Sequence, residues 1–202
     1  MDVASAAGWA PIALLETFLA GGATVIQLRA KRWPSGPFLD LCDAAVALGA
    51  QCGARVIVND RIDLALLSKA AGAHVGQGDV GPGDARAQLG PSAILGRSTH
   101  DETQIAGAAS EPVTYIAVGP IFGSNTKATG YQPVGLELVR AARRLAPAFP
   151  IVAIGGITLD NARSVIEAGA TAVAVIGDLV AFGDPAARIA SYNRLASACP
   201  GG

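Results

Sequence analysis

A chain of 202 residues that is 51% hydrophobic can bury one large core, so a single α/β domain over residues 1–202 is the expected organisation. Its formal net charge of −1, without a basic run, argues against a nucleic-acid surface, and no apolar segment is long enough to span a bilayer. Three cysteines (Cys42, Cys52 and Cys199) without metal-ligand spacing fit reduced thiols better than a disulfide framework, so no structural zinc is expected and a soluble cytoplasmic protein is.

In chain order, the spacing predicts a helix over Pro11–Ala20, ended by Gly21-Gly22. A strand follows over Thr24–Lys31, in which Ile26, Leu28 and Ala30 face one way and Gln27, Arg29 and Lys31 the other. After a Pro/Gly/Ser loop carrying Trp33, which reads as a packing lid, comes a helix over Phe38–Ala50. Two short apolar runs, Val56–Val58 and Ala73–Val75, end at Asn59-Asp60 and at Gln77-Gly78-Asp79, with the helix Ile62–Ala70 between them. If both strands are parallel, Asp60 and Asp79 converge at one end of the sheet as hard oxygen ligands suited to magnesium.

A helix near Gly83–Leu89, a strand Ala93–Thr99 running into His100 and a helix Glu102–Ala109 continue the period. The strand Tyr115–Phe122 opens into the longest loop, Gly123–Pro133, where Ser124, Thr126 and Lys127 can all donate to phosphate oxygens. A helix over Leu136–Ala146 and a buried strand Ile151–Ile157 come next, the strand carrying Gly155-Gly156 and leading to a helix near Leu159 with Thr158 as its cap. The last unit is a strand Ala172–Asp178, the segment Leu179–Phe182 and a helix Pro185–Ala196.

Seven strands, each followed by a helix, with one more helix in front, predict an α/β fold of the TIM (β/α)8-barrel type that lacks its first β-strand. That strand would precede Met1, unless Asp2–Ala7 fills its place in irregular form. On a barrel, Gln27, Arg29, Lys31, Asn59, Asp60, Asp79, Ser98, His100, Lys127, Gly155, Gly156 and Gly177 all fall on one rim. Acids, cations and glycine-bearing turns together are equipment for a diphosphate on magnesium at one side and a monophosphate at the other.

The ordered motifs Gln27-Leu-Arg-Ala-Lys31, Asn59-Asp60, Gly76-Gln-Gly-Asp79, Gly96-Arg-Ser-Thr-His100, Gly119-Pro-Ile-Phe-Gly-Ser-Asn-Thr-Lys127 and Ile154-Gly-Gly-Ile157 resemble those of the thiamine phosphate synthase family, over nearly the whole chain. The resemblance implies a transferase that couples 4-amino-5-hydroxymethyl-2-methylpyrimidine diphosphate to a thiazole phosphate with loss of pyrophosphate. It implies Mg2+ on Asp60 and Asp79, and the diphosphate on Arg29, Lys31, Asn59 and Lys127. Gln27 and Ser98 match positions near the pyrimidine and the departing oxygen. Ser124 and Thr126 match contacts to the thiazole phosphate or its carboxylate, and Gly156, Ile176 and Gly177 match the thiazole phosphate cradle. Lys127, Ser98 and Arg29 are the catalytic candidates. The partners are small-molecule substrates, and the sequence leaves the oligomeric state open, a homo-oligomer included.

Three departures from the family pattern stand out: the absent opening strand, Gly177-Asp178 where Ser-Ala is common, and Arg97 where an apolar residue is more frequent. An Arg-Ser pair at that place also resembles the related thiazole tautomerases, which gives a runner-up reading: a metal-free isomerase in which His100 shuttles a proton. A barrel that binds a phosphate ligand without catalysis is a third. Each residue also has an ordinary explanation: Asp60 or Asp79 alone as a loop cap, Arg29 and Lys31 as structural ion-pair partners, His74 as a core residue, and Arg61 and Asp63 as solvated or capping groups.

Overall fold

The computed structural model describes Met1, residues 8–123 and residues 132–198. Helix α1 (Pro11–Ala20) precedes strand β1 (Val25–Leu28); α2 (Ser35–Gln51), β2 (Arg55–Asn59), α3 (Ile62–Leu67), β3 (Gly72–Val75), α4 (Pro82–Leu89), β4 (Ile94–Thr99), α5 (Glu102–Ala108) and β5 (Tyr115–Val118) follow. The chain continues through α6 (Gly135–Leu145), β6 (Ile151–Ile154), α7 (Leu159–Glu167), β7 (Ala172–Ala174), α8 (Gly177–Val180) and α9 (Pro185–Ala198). The seven strands lie side by side in sequence order, and every neighbouring pair is parallel. All their carboxyl ends therefore face one way, which is the arrangement a β/α barrel needs.

Hydrophobic pattern explains the layers. The strands are short, apolar and largely buried, with Leu28, Val58, Val75, Leu95, Ile116, Val118 and Ile151 all at most 0% exposed, while the helices turn Leu14, Leu15, Phe38, Ile105, Val139 and Val165 against them. Deleting one such side chain to alanine costs about 2–5 kcal/mol, because the lost burial and the cavity left behind add.

The helical layer closes where the sheet does not. α1 packs on α9, and Gly21 lies so near the α9 backbone that a Cβ there would come within 2.7 Å of the Ala186 carbonyl oxygen. Asn193 adds a hydrogen bond from Nδ2 to the Gly22 carbonyl at 3.1 Å. Among the described residues no pairing joins β7 to β1. The outer edge of β1 is nevertheless engaged: the Met1 amino group donates to the Gln27 carbonyl, and the Arg29 N–H donates to the Met1 carbonyl at 2.9 Å. Met1 thus holds one strand-like position beside β1. The predicted irregular filler, Asp2–Ala7, lies outside the described residues.

The opposite, amino-terminal end of the sheet is fastened by two matching arginine clasps. Arg86 donates to the carbonyls of Ala93 (2.7 Å), Gly90 (3.0 Å) and Pro112 (3.0 Å) and to Thr114 Oγ1, which also accepts from the Leu95 N–H. Arg143 repeats the pattern with the Gly169 carbonyl (3.0 Å) and Thr171 Oγ1 (2.8 Å), which accepts from the Ile151 N–H. Each clasp satisfies carbonyls in the turn that feeds a strand, so this end is built for stability and leaves the carboxyl end for chemistry.

Four predicted strand ends are corrected: β1 stops at Leu28, not Lys31, β5 at Val118, not Phe122, β6 at Ile154, not Ile157, and β7 short of Asp178. The last strand stops at Ala174, and Gly177–Val180 turns into helix α8 in place of a strand running to Asp178. A carboxylate in the first turn of a helix is favourably placed against the N–H ends there, and Asp178 occupies that place.

Candidate active site

β2 ends at Asn59, which is buried, and the chain turns at Asp60 with φ at +64°, a left-handed conformation that Asp tolerates at a cost of about 1 kcal/mol. The turn is held by a hydrogen bond from the Asp60 N–H to the His74 carbonyl at 2.8 Å. One strand over, the turn after β3 brings Asp79 back toward the sheet, and its Oδ2 accepts from the Gly76 N–H at 2.7 Å. The two carboxyl groups meet in a side-chain hydrogen bond. Lys31, just past β1, completes the group with Nζ 3.1 Å from Asp60 Oδ2.

The electrostatics follow from that contact. Burial pushes the Asp60 carboxyl up from its ordinary value, the shared hydrogen bond with Asp79 adds to it, and Lys31 opposes. Burial pushes Asp79 up as well, but the Gly76 N–H, the hydrogen bond from Asp60 and the Lys31 and His74 charges outweigh it, and Asp79 sits low. Two carboxyl groups this close disfavour ionising together, and a cation between them would relieve that. Arg61, next in sequence, faces away to Asp63 (Nη2–Oδ2 2.5 Å) and Ser35. Trp33 lines the open cleft beside Lys31, Asn59 and Asp60.

A second polar group lies deeper in the sheet. His74, Gly96 and Tyr115 stand abreast on β3, β4 and β5. A Cβ on Gly96 would fall 2.2 Å from Tyr115 Cζ and 2.4 Å from His74 Nδ1, so only glycine lets the two rings stack across β4, with centroids 5.5 Å apart. His74 Nδ1 bonds the Tyr115 hydroxyl and Nε2 bonds Ser98 Oγ, both at 2.8 Å, and the Gln27 side chain reaches the same tyrosine. Burial pushes the Tyr115 phenol well above its ordinary range. The imidazole therefore fixes the orientation of Ser98 Oγ, and His74 is more than a core residue. Tyr115 carried no sequence signal beyond opening a strand; a glycine in mid-strand with a histidine in the neighbouring strand was the clue.

Further round the rim, Gly156 has φ at +64°, and a Cβ there would collide with the Gly123 carbonyl oxygen at 2.6 Å, which brings the turns after β5 and β6 into contact. Ile176 and Gly177 form the start of α8. Asp178 does not face this space as a bare charge. Its Oδ2 accepts from Arg188 Nε (2.8 Å), the Tyr192 hydroxyl (2.6 Å) and the Leu159 N–H (3.3 Å), and its Oδ1 accepts from Arg188 Nη2 (2.9 Å). Burial alone would raise it, but the hydrogen bonds from Arg188 and Tyr192 outweigh that and hold it low. The departure at Gly177-Asp178 is thereby neutralised by α9.

The structure brings Gln27, Lys31, Asn59, Asp60, Asp79 and Ser98 to the carboxyl end of the sheet, with Arg29 just past β1, its N–H bonded to the Met1 carbonyl. Ser124, Thr126 and Lys127 lie outside the described residues. His100 does not stand in the cluster: its Nδ1 bonds the Gly119 carbonyl and its backbone N–H donates to Gln104 Oε1 at 2.9 Å, contacts that join β4 to β5 and start α5. Among the described residues no group of three or more His, Cys, Asp or Glu is gathered for a metal. The protein donor set is thus two carboxylates. Magnesium fits such a set, since it commonly takes one or two carboxylates and completes its octahedron with phosphate oxygens and water.

Comparison with known proteins agrees with the geometry. The family model for thiamine monophosphate synthase matches residues 5–179. The chain is 44% identical to thiamine-phosphate synthase of Moorella thermoacetica over 86% of its length and 82% of that protein. It is 42% identical to thiamine-phosphate synthase of Koribacter versatilis over 89% of its length and 83% of that protein. Among solved structures, thiamine phosphate pyrophosphorylase from Pyrococcus furiosus superposes with a TM-score of 0.86 at 28% identity, covering 94% of this chain and 91% of that one.

Proposed function

The chain belongs to the thiamine monophosphate synthase family, and on that premise we propose that it joins 4-amino-5-hydroxymethyl-2-methylpyrimidine diphosphate to a thiazole phosphate, giving thiamine phosphate and pyrophosphate. It is an enzyme of thiamine biosynthesis, a transferase. The observation that carries the reading is the carboxyl–carboxyl contact of Asp60 and Asp79 beside Lys31. An acid pair held together on a rim, one member in a strained backbone conformation, is arranged for a cation that is also bound by substrate.

Mg2+ held there supplies positive charge to the diphosphate oxygens. Asp60 and Asp79 would hold and orient that charge. Lys31 exchanges part of its pairing with Asp60 for the diphosphate, joined by Arg29, Asn59 and Lys127. Ser98, aimed by His74, faces the departing oxygen, and Gln27, braced by Tyr115, faces the pyrimidine ring. The carbon–oxygen bond breaks with its electron pair leaving on pyrophosphate, and the thiazole nitrogen lone pair forms the new carbon–nitrogen bond. The balance requires no proton transfer at the reacting carbon, so catalysis is charge stabilisation and positioning. Gly156, with the Ile176 and Gly177 amides, holds the thiazole phosphate, and Ser124 and Thr126 contact the same substrate.

The test is direct. Protein incubated with both substrates and Mg2+ forms thiamine phosphate, and a chelator abolishes it. Formation that continues undiminished under chelator, or thiazole isomerisation alone, overturns the reading. His100 Nδ1 is bonded to the Gly119 carbonyl, and it is the pairing of Asp60 with Asp79 that favours the transferase over the metal-free isomerase.

A further inference from the structure

We infer that Arg97 is a positioning residue whose task is to fix the turn that presents Asp79 to the metal; this rests on the reading of Asp60 and Asp79 as the metal-binding pair. Arg97 lies on β4 opposite Val75, the last residue of β3, and its side chain is only 11% exposed. A guanidinium that far from water needs its donors used, and the partners are specific. Nη1 donates to the Gly76 carbonyl at 2.7 Å and Nη2 to Gln77 Oε1 at 3.4 Å, while Nε stands 3.8 Å from Glu111.

The turn from Gly76 to Asp79 has little stiffness of its own. Two of its four residues are glycines, Gly76 and Gly78, and a Cβ on Gly78 would meet nothing within 4 Å. Its closing hydrogen bond, from the Asp79 N–H to the Gly76 carbonyl, is long at 3.3 Å. Arg97 places a shorter, charge-assisted bond on that same carbonyl oxygen. The N–H of Gly76 in turn donates to Asp79 Oδ2. Gly76 is therefore gripped by Arg97 through its carbonyl while it grips Asp79 through its amide. Gln77 completes the fastening, with Nε2 donating to the Ser98 carbonyl at 2.6 Å. Arg97 thereby fixes the position of the Asp79 carboxylate without touching substrate.

The experiment is titration of Mn2+ alone into metal-free protein, with the free aqueous ion counted by EPR, on the parent, Arg97→Met, Arg97→Lys and Asp79→Asn. Steady-state kinetics at saturating Mg2+ run alongside. Arg97→Met weakens Mn2+ binding about tenfold, leaves KM for the thiazole phosphate unchanged, and regains kcat to within about threefold as metal is raised. Arg97→Lys, which can still reach the Gly76 carbonyl, restores Mn2+ affinity to within about threefold of the parent. Parent-like Mn2+ affinity in Arg97→Met, or a lysine variant no better than the methionine, overturns the inference. If the parent binds Mn2+ and Asp79→Asn does not, while Arg97→Met binds normally, the Arg97 role alone falls. If Asp79→Asn binds as the parent does, the metal reading falls with it.

Discussion

Two aspartate sites near the carboxyl ends of the strands show opposite chemistry. Asp178 has a side chain 4% exposed and four hydrogen bonds from Arg188, Tyr192 and Leu159. Asp60 is partly open, sits at positive φ, has another carboxyl against it, and pairs with a lysine whose own side chain is 52% exposed. One carboxylate is saturated and serves the fold by joining α8, α7 and α9. The other is held in an arrangement the protein alone does not satisfy, and that deficit is what a cation removes. Position on the rim does not separate structure from function; the completeness of the partner set does.

The largest expected effect is on activity. Asp60→Ala or Asp79→Ala lowers kcat/KM by about 10²–10³, since each removes a carboxylate that would hold the cation bound by the leaving group. Lys127→Ala belongs with them, at roughly ten- to a hundredfold. Asp178→Ala acts on stability instead. It leaves Arg188 without its carboxylate and costs about 2–3 kcal/mol, short of the usual cost of breaking a buried pair because the arginine can reach water. The melting temperature then drops by roughly 5–10 °C.

Acid should sharpen the contrast. Asp178 is held below its ordinary value of 3.8, so its stabilisation is complete above that value and is lost as pH falls through the lowered one. Asp178→Asn therefore flattens the acid limb of the unfolding curve. Asp60 is raised, so the metal-free fold loses stability as pH climbs from 3.8 to the raised value and stays penalised above it. Asp60→Asn, which keeps the tolerance for positive φ, removes that penalty. The smallest effect expected is a slight rise in the melting temperature of metal-free protein at neutral pH, read by calorimetry.

Much of this was legible from residue order. The strand–helix period, the parallel sheet and the convergence of Asp60 with Asp79 follow from apolar runs that stop at polar residues, because a buried strand cannot extend through them. What was not legible depended on long-range partners. The sequence Ala172–Asp178 reads as a continuous strand, but Asp178 finds Arg188 and Tyr192 on α9, and the chain turns helical to reach them. His74 looks like a core histidine until Gly96 is seen to open the space where it meets Tyr115 and Ser98. Arg97 looks like a departure from pattern until the glycine-flanked turn it steadies is in view.

The claim that one ion is shared by two neighbouring turns is tested most directly by a double-mutant cycle on Asp60 and Asp79, read as Mg2+-dependent formation of thiamine phosphate. If both carboxylates serve the same ion, either alanine variant removes most of the effect, and the double variant is within about threefold of the worse single one. Losses that multiply, or an Asp79→Ala enzyme within about threefold of the parent, would contradict a shared ion.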